Sequence, residues 1–186
     1  MTGVQTCALP ISNHINREIK AARKGKPASI IIKSNSLVDQ SLISKLYEAA
    51  KEGVDIKMII RGSCCAITEH KSFKQPIKAI SIIDEYLEHS RVFVFHNEGD
   101  MRIYISSGDW MIRNLDHRIE AACPIYDADI KKELIDILNI QLAENVKGRI
   151  LDNEQSNAYL PKQKNKLEMR SQVSIYGYLH KKHYKG

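Results

Sequence analysis

One segment decides the fold: residues 29–62, which read SIIIKSNSLVDQSLISKLYEAAKEGVDIKMIIRG. Its two ends, residues 29–33 and 55–60, are short runs rich in isoleucine, as is typical of buried strands. Between them, residues 38–51 repeat apolar side chains at the spacing of an amphipathic helix, and Gly53 follows where helices commonly end. Because a strand, a helix and a strand follow one another, the segment predicts a βαβ unit with two parallel strands.

The sequence on either side adds further strands and helices. Helices are predicted at residues 13–24, 127–144 and 170–183, and Asp127 is suited to cap the second of them. Further strands are predicted at residues 77–83, 91–95, 101–106, 118–125 and 146–151, with a loop at 61–75, a short helical turn at 84–88 and a polar loop at 152–166. The strands at 91–95 and 101–106 are expected to form a hairpin. The predicted fold class is α/β, with a mixed central sheet flanked by helices.

The composition excludes several classes of protein. Hydrophobic residues make up 43% and charged residues 27% of the 186 residues, which is the composition of a folded domain. Apolar runs are strand-sized and stay below the roughly 20 residues that cross a bilayer. The four cysteines form no CxxC pair, which argues against a zinc site or a disulfide framework and favours a reducing cytoplasm.

The net charge of +6 is concentrated at one end of the chain. From residue 160 onwards there are seven lysines and arginines and one glutamate. Such a tail could be a solvated surface, or it could attract a polyanion such as nucleic acid, polyphosphate or a membrane surface. Charge alone does not choose between these interpretations.

Residues 1–12, MTGVQTCALPIS, lack the periodicity of the sequence that follows. They have neither the basic start nor the apolar core of a signal peptide. The string resembles translated sequencing-adaptor sequence at the ends of environmental gene fragments, and the alternative is an ordinary flexible N-terminus. We therefore predict a foreign or disordered segment at 1–12 and one domain at 13–186, which would be a fragment of a larger protein.

Polar side chains gather at the ends of the predicted strands, where α/β sheets commonly bind ligands. Lys33 and Asn35 follow the first strand of the βαβ unit, and Arg61 follows the second. His89 lies just before the predicted hairpin, and Arg91 is the first residue of its first strand. An imidazole can serve as a nucleophile or as an acid and base in phosphoryl transfer, and an arginine can bind phosphate with two nitrogens.

Each of these signals is weak when taken alone. A lone histidine is more often a surface or structural residue, and a lone arginine at a strand end is usually solvated. Ser107 and Asp109 follow the strand at 101–106, where serine is most often a turn residue. Trp110 could stack a base, although core packing is the favoured interpretation. The pair at 64–65 is interpreted as two small apolar side chains rather than a reactive thiolate.

Several longer stretches resemble the C-terminal region of the bacterial polyphosphate kinase family. They are KSNSLVDQSLISKLYEAAKEGVDI (33–56), IIRGSCC (59–65), AISIIDEYLEHSRVFVF (79–95), YISSGDWMIRNLDHRIEAACPI (104–125) and VKGRILDNEQSNAYLP (146–161). The resemblance runs from about residue 13 nearly to the end of the chain. These motifs are long and unusual in composition, so the resemblance is specific.

That family is related to the phospholipase D superfamily, in which two similar halves each supply a His-x-Lys and a Gly-Ser-x-Asn element to one phosphate site. The matching positions here are His89 with Arg91 and residues 106–109. Arg91 replaces the lysine, and Asp109 stands where asparagine is usual. Both differences belong to the polyphosphate kinase version and argue against a working phosphodiesterase, which is kept as the alternative enzyme.

The resemblance implies reversible transfer of the terminal phosphate of ATP to inorganic polyphosphate, through a phosphohistidine and with Mg²⁺. The phosphorylated histidine lies in the preceding half of the catalytic module, outside this chain, so the chain is expected to be inactive alone. His89 matches the family's second active-site histidine and is the predicted catalytic residue. Arg61 matches an arginine that contacts nucleotide phosphate, and Arg91 is a third predicted phosphate contact.

Lys33, Asn35, Ser107 and Asp109 are secondary candidates for the same site. The Mg²⁺ ligands cannot be placed from the sequence. The expected partners are ATP or ADP, polyphosphate, the missing N-terminal part of the enzyme and further copies in a homo-oligomer, with no specific nucleic acid. The expected location is the cytoplasm, with peripheral contact to the inner membrane as an option. The competing class is a non-catalytic module that binds polyanions.

Overall fold

A seven-stranded mixed sheet forms the centre of the fold. The structure, a computed structural model, describes residues 8–161 and 167–184. The strands are β1 (Ser29–Ser34), β2 (Asp55–Ile60), β3 (Lys78–Ile82), β4 (Val92–Phe95), β5 (Arg102–Ser106), β6 (Ala122–Ile125) and β7 (Gly148–Ile150). They lie in the order β6-β5-β4-β1-β2-β3-β7. The strands β1, β2 and β3 are parallel, and every other neighbouring pair is antiparallel.

Helices lie on both faces of this sheet, which confirms the predicted fold class. They are α1 (Ala8–Arg23), α2 (Gln40–Glu52), α3 (Ile112–Leu115), α4 (Ala128–Leu142) and α5 (Ser171–His183). Helices α1 and α2 pack in one apolar cluster with the sheet, and α4 packs in a second cluster. The terminal helix α5 packs against α4. None of the helices in the described ranges is long and apolar enough to span a membrane.

The βαβ unit forms as predicted, and local side chains define its helix. Asp39 precedes α2, and its carboxylate accepts a hydrogen bond from Leu42 N (2.8 Å). At the other end Gly53 has a φ of 96°, in the left-handed region, and its N–H donates to the carbonyls of Ala49 and Ala50. A glycine adopts this conformation without the steric cost that a Cβ would add.

Two apolar clusters lie on opposite faces of the sheet because side chains alternate along each strand. Ile30 and Ile32 of β1 belong to the first cluster, and Val92 of β4 belongs to the second. Trp110 is 1% exposed in the first cluster, and its ring centroid lies 5.1 Å from that of Phe93. The tryptophan is therefore a core residue, as the sequence analysis favoured.

Two local predictions are wrong, and side-chain hydrogen bonds explain both. Residues 84–88 are irregular instead of helical, because the Gln172 side chain binds the backbone N–H and carbonyl of Tyr86. The strand predicted at 118–125 contains only β6. Just before it, Glu120 accepts hydrogen bonds from the side chains of Ser107 and Asn114. Helix α3 was not predicted, since one turn is too short to give a periodic pattern.

The N-terminal segment is partly covered by the structure. Helix α1 begins at Ala8, so residues 8–12 are helical and not disordered, and Ile11 is 5% exposed in the core. Residues 1–7, 162–166 and 185–186 lie outside the described residues. The predicted boundary at residue 12 and the foreign origin of the segment stay predictions.

Candidate functional site

The topology brings the predicted site residues to one edge of the sheet. Because β1 and β2 are parallel, they end at the same edge. The strand β4 is antiparallel to β1 and begins there, and β5 ends beside it. We call this the site edge. All seven predicted residues lie on or directly beyond it: Lys33, Asn35, Arg61, His89, Arg91, Ser107 and Asp109.

Asp109 is the centre of a hydrogen-bond network at the site edge. Its Oδ1 accepts hydrogen bonds from Ser34 Oγ (2.8 Å), Asn35 N (2.8 Å) and Ser36 N (3.2 Å). Arg91 Nη2 donates to its Oδ2 at 3.0 Å, and Arg91 Nε lies 3.0 Å from Oδ1. The two side chains are only 8% and 11% exposed, so this ion pair is largely shielded from water.

The electrostatics of this pair keep Asp109 ionised. Burial alone would raise the pKa of the carboxyl group. The hydrogen bonds from Arg91, Ser34 and the Asn35 backbone outweigh burial and lower its pKa from 3.8 to about 2. A carboxylate that stays charged at neutral pH holds the Arg91 guanidinium in one orientation.

His89 lies against the guanidinium of Arg91. Arg91 Nη2 is 3.2 Å from His89 Nε2 and Nη1 is 3.4 Å from Nδ1, while Nη1 also donates to the His89 carbonyl at 3.2 Å. The His89 side chain is exposed. Asp109 therefore holds the buried side of the Arg91 guanidinium, and the exposed imidazole of His89 lies against its other side.

Arg61 joins the same network through Asn35. Its Nε donates to Asn35 Oδ1 at 3.0 Å, and the backbone N–H of Asn35 donates in turn to Asp109. Within the described residues the Arg61 side chain makes this hydrogen bond through Nε, and its terminal nitrogens Nη1 and Nη2 remain available to bind a ligand. Two such nitrogens in one plane match the spacing of phosphate oxygens.

Lys33 is a buried cation beside this network. It is 6% exposed, and its Nζ donates to Glu88 Oε2 at 2.5 Å. Burial lowers the pKa of Lys33, Glu88 opposes that change, and the charge of Arg61 adds to it. Lys33 lies in β1 and Arg61 directly follows β2, the neighbouring parallel strand, so both cations belong to the site edge.

Ser107 has contacts that differ from those of the other candidates. Its hydroxyl donates to the carboxylate of Glu120 and accepts a hydrogen bond from Ala121 N (3.1 Å). These bonds join the end of β5 to the segment before β6. They are the contacts of a turn residue, and the assignment of Ser107 to the site stays a prediction.

The structure also adds three residues that the sequence analysis missed. Glu88 accepts a hydrogen bond from Gln141 of α4 in addition to the one from Lys33. Gln172 of α5 donates to the other oxygen of Glu88 at 3.1 Å. The only sequence signal for any of them was the position of Glu88 next to His89.

The geometry is accompanied by a clear family relationship. Residues 5–172 match the family described as polyphosphate kinase C-terminal domain 2. The chain belongs to this family. The polyphosphate kinase of Vibrio vulnificus strain YJ016 is 52% identical over 165 residues, which are 89% of this chain and 23% of that protein. The polyphosphate kinase of Escherichia coli K12 is 44% identical, with coverage of 89% and 24%.

Solved structures agree with the sequence relatives. The crystal structure of polyphosphate kinase from Porphyromonas gingivalis superimposes with a TM-score of 0.92 at 40% identity, and the match covers 97% of this chain and 28% of that one. The chain thus spans about a quarter of the length of the polyphosphate kinases it matches. The predicted family resemblance is confirmed.

The predicted phospholipase D-like architecture is also confirmed. Nuc from Salmonella typhimurium, a phospholipase D family member, superimposes with a TM-score of 0.52 over 73% of this chain and 89% of its own. The two sequences are 17% identical. This likeness concerns the fold alone and carries no argument for a phosphodiesterase activity.

The site edge does not fit a self-contained metal site. Within residues 8–161 and 167–184, no group of three or more His, Cys, Asp or Glu side chains could hold a metal ion. Asp109 is occupied by Arg91 and Ser34, and Glu88 is occupied by Lys33. The described residues therefore offer no set of ligands for the Mg²⁺ that the family leads us to expect.

Proposed function

We propose that this chain is the C-terminal catalytic part of a polyphosphate kinase, which reversibly transfers the terminal phosphate of ATP to inorganic polyphosphate. The observation that carries the proposal is the network at the site edge. It fixes Arg91 through Asp109, presents His89 beside it and leaves the terminal nitrogens of Arg61 available. Two guanidinium groups and an imidazole in one network suit a phosphate group in transfer.

The chemistry of phosphoryl transfer explains why these residue types are needed. The transferring group spreads negative charge over its oxygens, so catalysis depends on positioning and on cations placed in advance. In this proposal Arg61 binds the phosphates of the nucleotide and Arg91 stabilises the charge of the transferring group. His89 donates a hydrogen bond or a proton to the bridging oxygen.

The remainder of the enzyme would supply the histidine that carries the phosphoryl group. In the synthetic direction the bond between the β–γ bridging oxygen and the γ-phosphorus of ATP breaks, and a bond from that phosphorus to the histidine nitrogen forms. ADP is the leaving group of this step. The bond between phosphorus and the histidine nitrogen then breaks as the terminal oxygen of the polyphosphate chain bonds to that phosphorus, which restores the free histidine. The residues of this chain bind and orient the phosphates in both steps.

Preorganisation of Arg91 is the contribution of Asp109 to this site. The carboxylate is ionised at neutral pH because its pKa is lowered to about 2. Replacement of the superfamily's lysine and asparagine by an arginine and an aspartate thus creates an ion pair that a flexible lysine would not form with the same geometry. Lys33 and Asn35 are secondary contacts for a longer phosphate chain.

The family also leads us to expect Mg²⁺, assembly into a homo-oligomer and a cytoplasmic location that includes the inner membrane surface. These three expectations come from the family alone and not from the geometry of the site edge. They can be checked by metal titration, by analytical ultracentrifugation and by fractionation of cells that express the full-length protein.

A chimeric enzyme tests the proposed function. The matching 165-residue region of the Vibrio vulnificus polyphosphate kinase would be replaced by residues of this chain, and ATP-dependent polyphosphate formation would be measured. We expect His89→Ala to abolish synthesis, and Arg61→Ala to raise KM for ATP by about tenfold or more, because a charge-assisted bidentate contact is lost. His70→Ala is the matched control, since His70 is exposed and bonds to Ser72.

The outcomes separate the candidate functions. Wild-type turnover in the His89→Ala enzyme would remove the catalytic role of His89. A chimera that binds polyphosphate but makes none, beside an active parent enzyme, would favour the non-catalytic polyanion-binding module. Cleavage of a phosphodiester by the chimera would favour the phospholipase D-like alternative. Salt titrations with polyphosphate and with double-stranded DNA would distinguish nucleic acid as a partner.

A further inference from the structure

The segment that carries His89 has no regular structure of its own. Residues 83–91 connect β3 to β4 without helix or strand, and the exposed fractions of Ile83, Tyr86 and Leu87 are 61%, 69% and 73%. A connection of this kind is usually among the more mobile parts of a fold. The position of His89 therefore depends on contacts from elsewhere in the chain.

The start of helix α5 supplies the first of these contacts. Arg170 binds Asp84 with two nitrogens, from Nε to Oδ2 at 2.8 Å and from Nη2 to Oδ1 at 2.9 Å. Its Nη2 also donates to Glu85 at 3.0 Å. The carboxylate side chain of Asp84 is only 2% exposed. This bidentate pair holds the beginning of the segment, five positions before His89.

Gln172 makes the second set of contacts, at a residue two positions nearer to His89. Its Oε1 accepts a hydrogen bond from Tyr86 N at 3.0 Å, and its Nε2 donates to Tyr86 O at 2.8 Å. The same Nε2 donates to Glu88 Oε1 at 3.1 Å. One amide group therefore binds both backbone groups of Tyr86 and also the carboxylate next to His89.

Glu88 connects Gln172 to the site edge, because its carboxylate binds both Gln172 and Lys33. One of its oxygens accepts from Gln172, and the other accepts from Gln141 and from the buried Lys33. A carboxylate held by three donors has little freedom to rotate. Glu88 and His89 are consecutive residues. The donors that hold the Glu88 carboxylate therefore also restrain the backbone of His89, and with it the direction from which the imidazole approaches Arg91.

We propose that Gln172 is a positioning residue of the phosphate site: it holds the segment 84–88 so that Glu88 fixes Lys33 and His89 lies against Arg91. Gln172 itself does not touch the phosphate. The inference rests on the proposed function only for the role of Lys33 and His89 as phosphate contacts. The positioning of the segment itself is a property of this chain and can be measured without kinase activity.

Solution NMR of the full 186-residue chain provides the test. The heteronuclear ¹⁵N NOE of residues 84–90 reports the order of the segment, and a titration with inorganic tripolyphosphate reports binding at the site edge. We expect Gln172→Ala to lower the NOE values of this segment and to weaken tripolyphosphate binding by about tenfold. Gln172→Glu keeps the size and the acceptor but places a second carboxylate against Glu88, so we expect an equal or larger loss.

Two further variants make the result specific. Val173→Ala is the matched control, because Val173 is the next residue in α5 and is 57% exposed; it should behave as wild type. Glu88→Ala removes the oxygens that accept from Gln172, Gln141 and Lys33, and it leaves the sequence of α5 unchanged. It should reproduce the loosened segment even if the Gln172 variants disturb the helix.

Wild-type NOE values and wild-type affinity in Gln172→Ala, Gln172→Glu and Glu88→Ala would overturn the proposal. Equal loosening by Val173→Ala would also overturn it, because the effect would then come from fraying of α5 and not from the amide. If the wild-type chain fails to bind tripolyphosphate while the segment loosens as expected, the positioning role stands and the proposed phosphate site is what fails.

Discussion

Replacing Asp109 with asparagine should destabilise the protein by an amount that depends on pH. The variant keeps the size of the side chain but leaves the buried Arg91 without an anionic partner. The native pKa of Asp109 is lowered from 3.8 to about 2. Since each factor of ten in proton affinity is worth about 1.4 kcal/mol, ionisation of Asp109 stabilises the folded state by about 2 kcal/mol at neutral pH.

The sign of the pH dependence follows from the direction of this change. The pKa is lower in the folded chain than in the unfolded chain, so the stabilisation is complete above the unfolded value of 3.8 and is lost as the pH falls towards 2. At pH 3 about half of it should remain. Asparagine does not titrate, so the difference in unfolding free energy between wild type and Asp109→Asn should shrink by about 1 kcal/mol between pH 7 and pH 3.

Urea unfolding at both pH values measures this difference. Trp110, the single tryptophan, is buried next to Asp109 and provides a fluorescence signal. Asp100→Asn is the matched control, because Asp100 pairs with Arg102 at a site where its side chain is 63% exposed; it should change stability by less than about 1 kcal/mol. An Asp109→Asn protein as stable as wild type at pH 7, or a difference that stays constant down to pH 3, would refute the reasoning.

Three further predictions concern the scaffold and the site. Gly53→Ala should lower the unfolding free energy by about 1 kcal/mol or more in thermal melts, because the φ of 96° is unfavourable for a residue with a Cβ; an unchanged Tm would contradict this. Asp39→Ala removes the acceptor for Leu42 N and should cost about 1 kcal/mol in urea unfolding, with Asp39→Asn as the milder replacement. Tripolyphosphate binding to the chain, followed by calorimetry, should weaken as NaCl is added, and the slope against salt should be smaller for Arg61→Ala; equal slopes would argue against a phosphate contact by Arg61.

Much of the fold could be predicted because its signals are local. The β-branched runs of β1 and β2, the cap at Asp39 and the glycine at 53 lie within a few residues of the structure that they define. The same is true of Asp127, whose carboxylate accepts hydrogen bonds from residues 129 and 130 at the start of α4. Local propensity and tertiary packing agree in these segments.

Predictions were wrong where distant side chains replaced the local hydrogen bonds. Residues 84–88 have the composition of a helical turn, but Gln172, which is 86 positions away, binds the backbone groups of Tyr86. Such a contact leaves no trace in the local pattern. The same reason explains why Gln141 was overlooked: it reaches Glu88 from 53 positions away.

For the candidate site too, the positions of the residues could be predicted from the sequence, whereas their contacts could not. The order of residues along the chain was enough to place Lys33, Arg61 and Arg91 at strand ends, because strand ends of an α/β sheet meet at one edge. Folding alone decided that Asp109 pairs with Arg91, that the His89 ring lies against that arginine, and that Glu88 joins the buried lysine to helix α5. The periodicity that defines a helix or a strand is a property of neighbouring residues. The partner of a buried charged side chain depends instead on which distant segment packs beside it. A buried charge is stable only where folding brings a complementary group within hydrogen-bond distance.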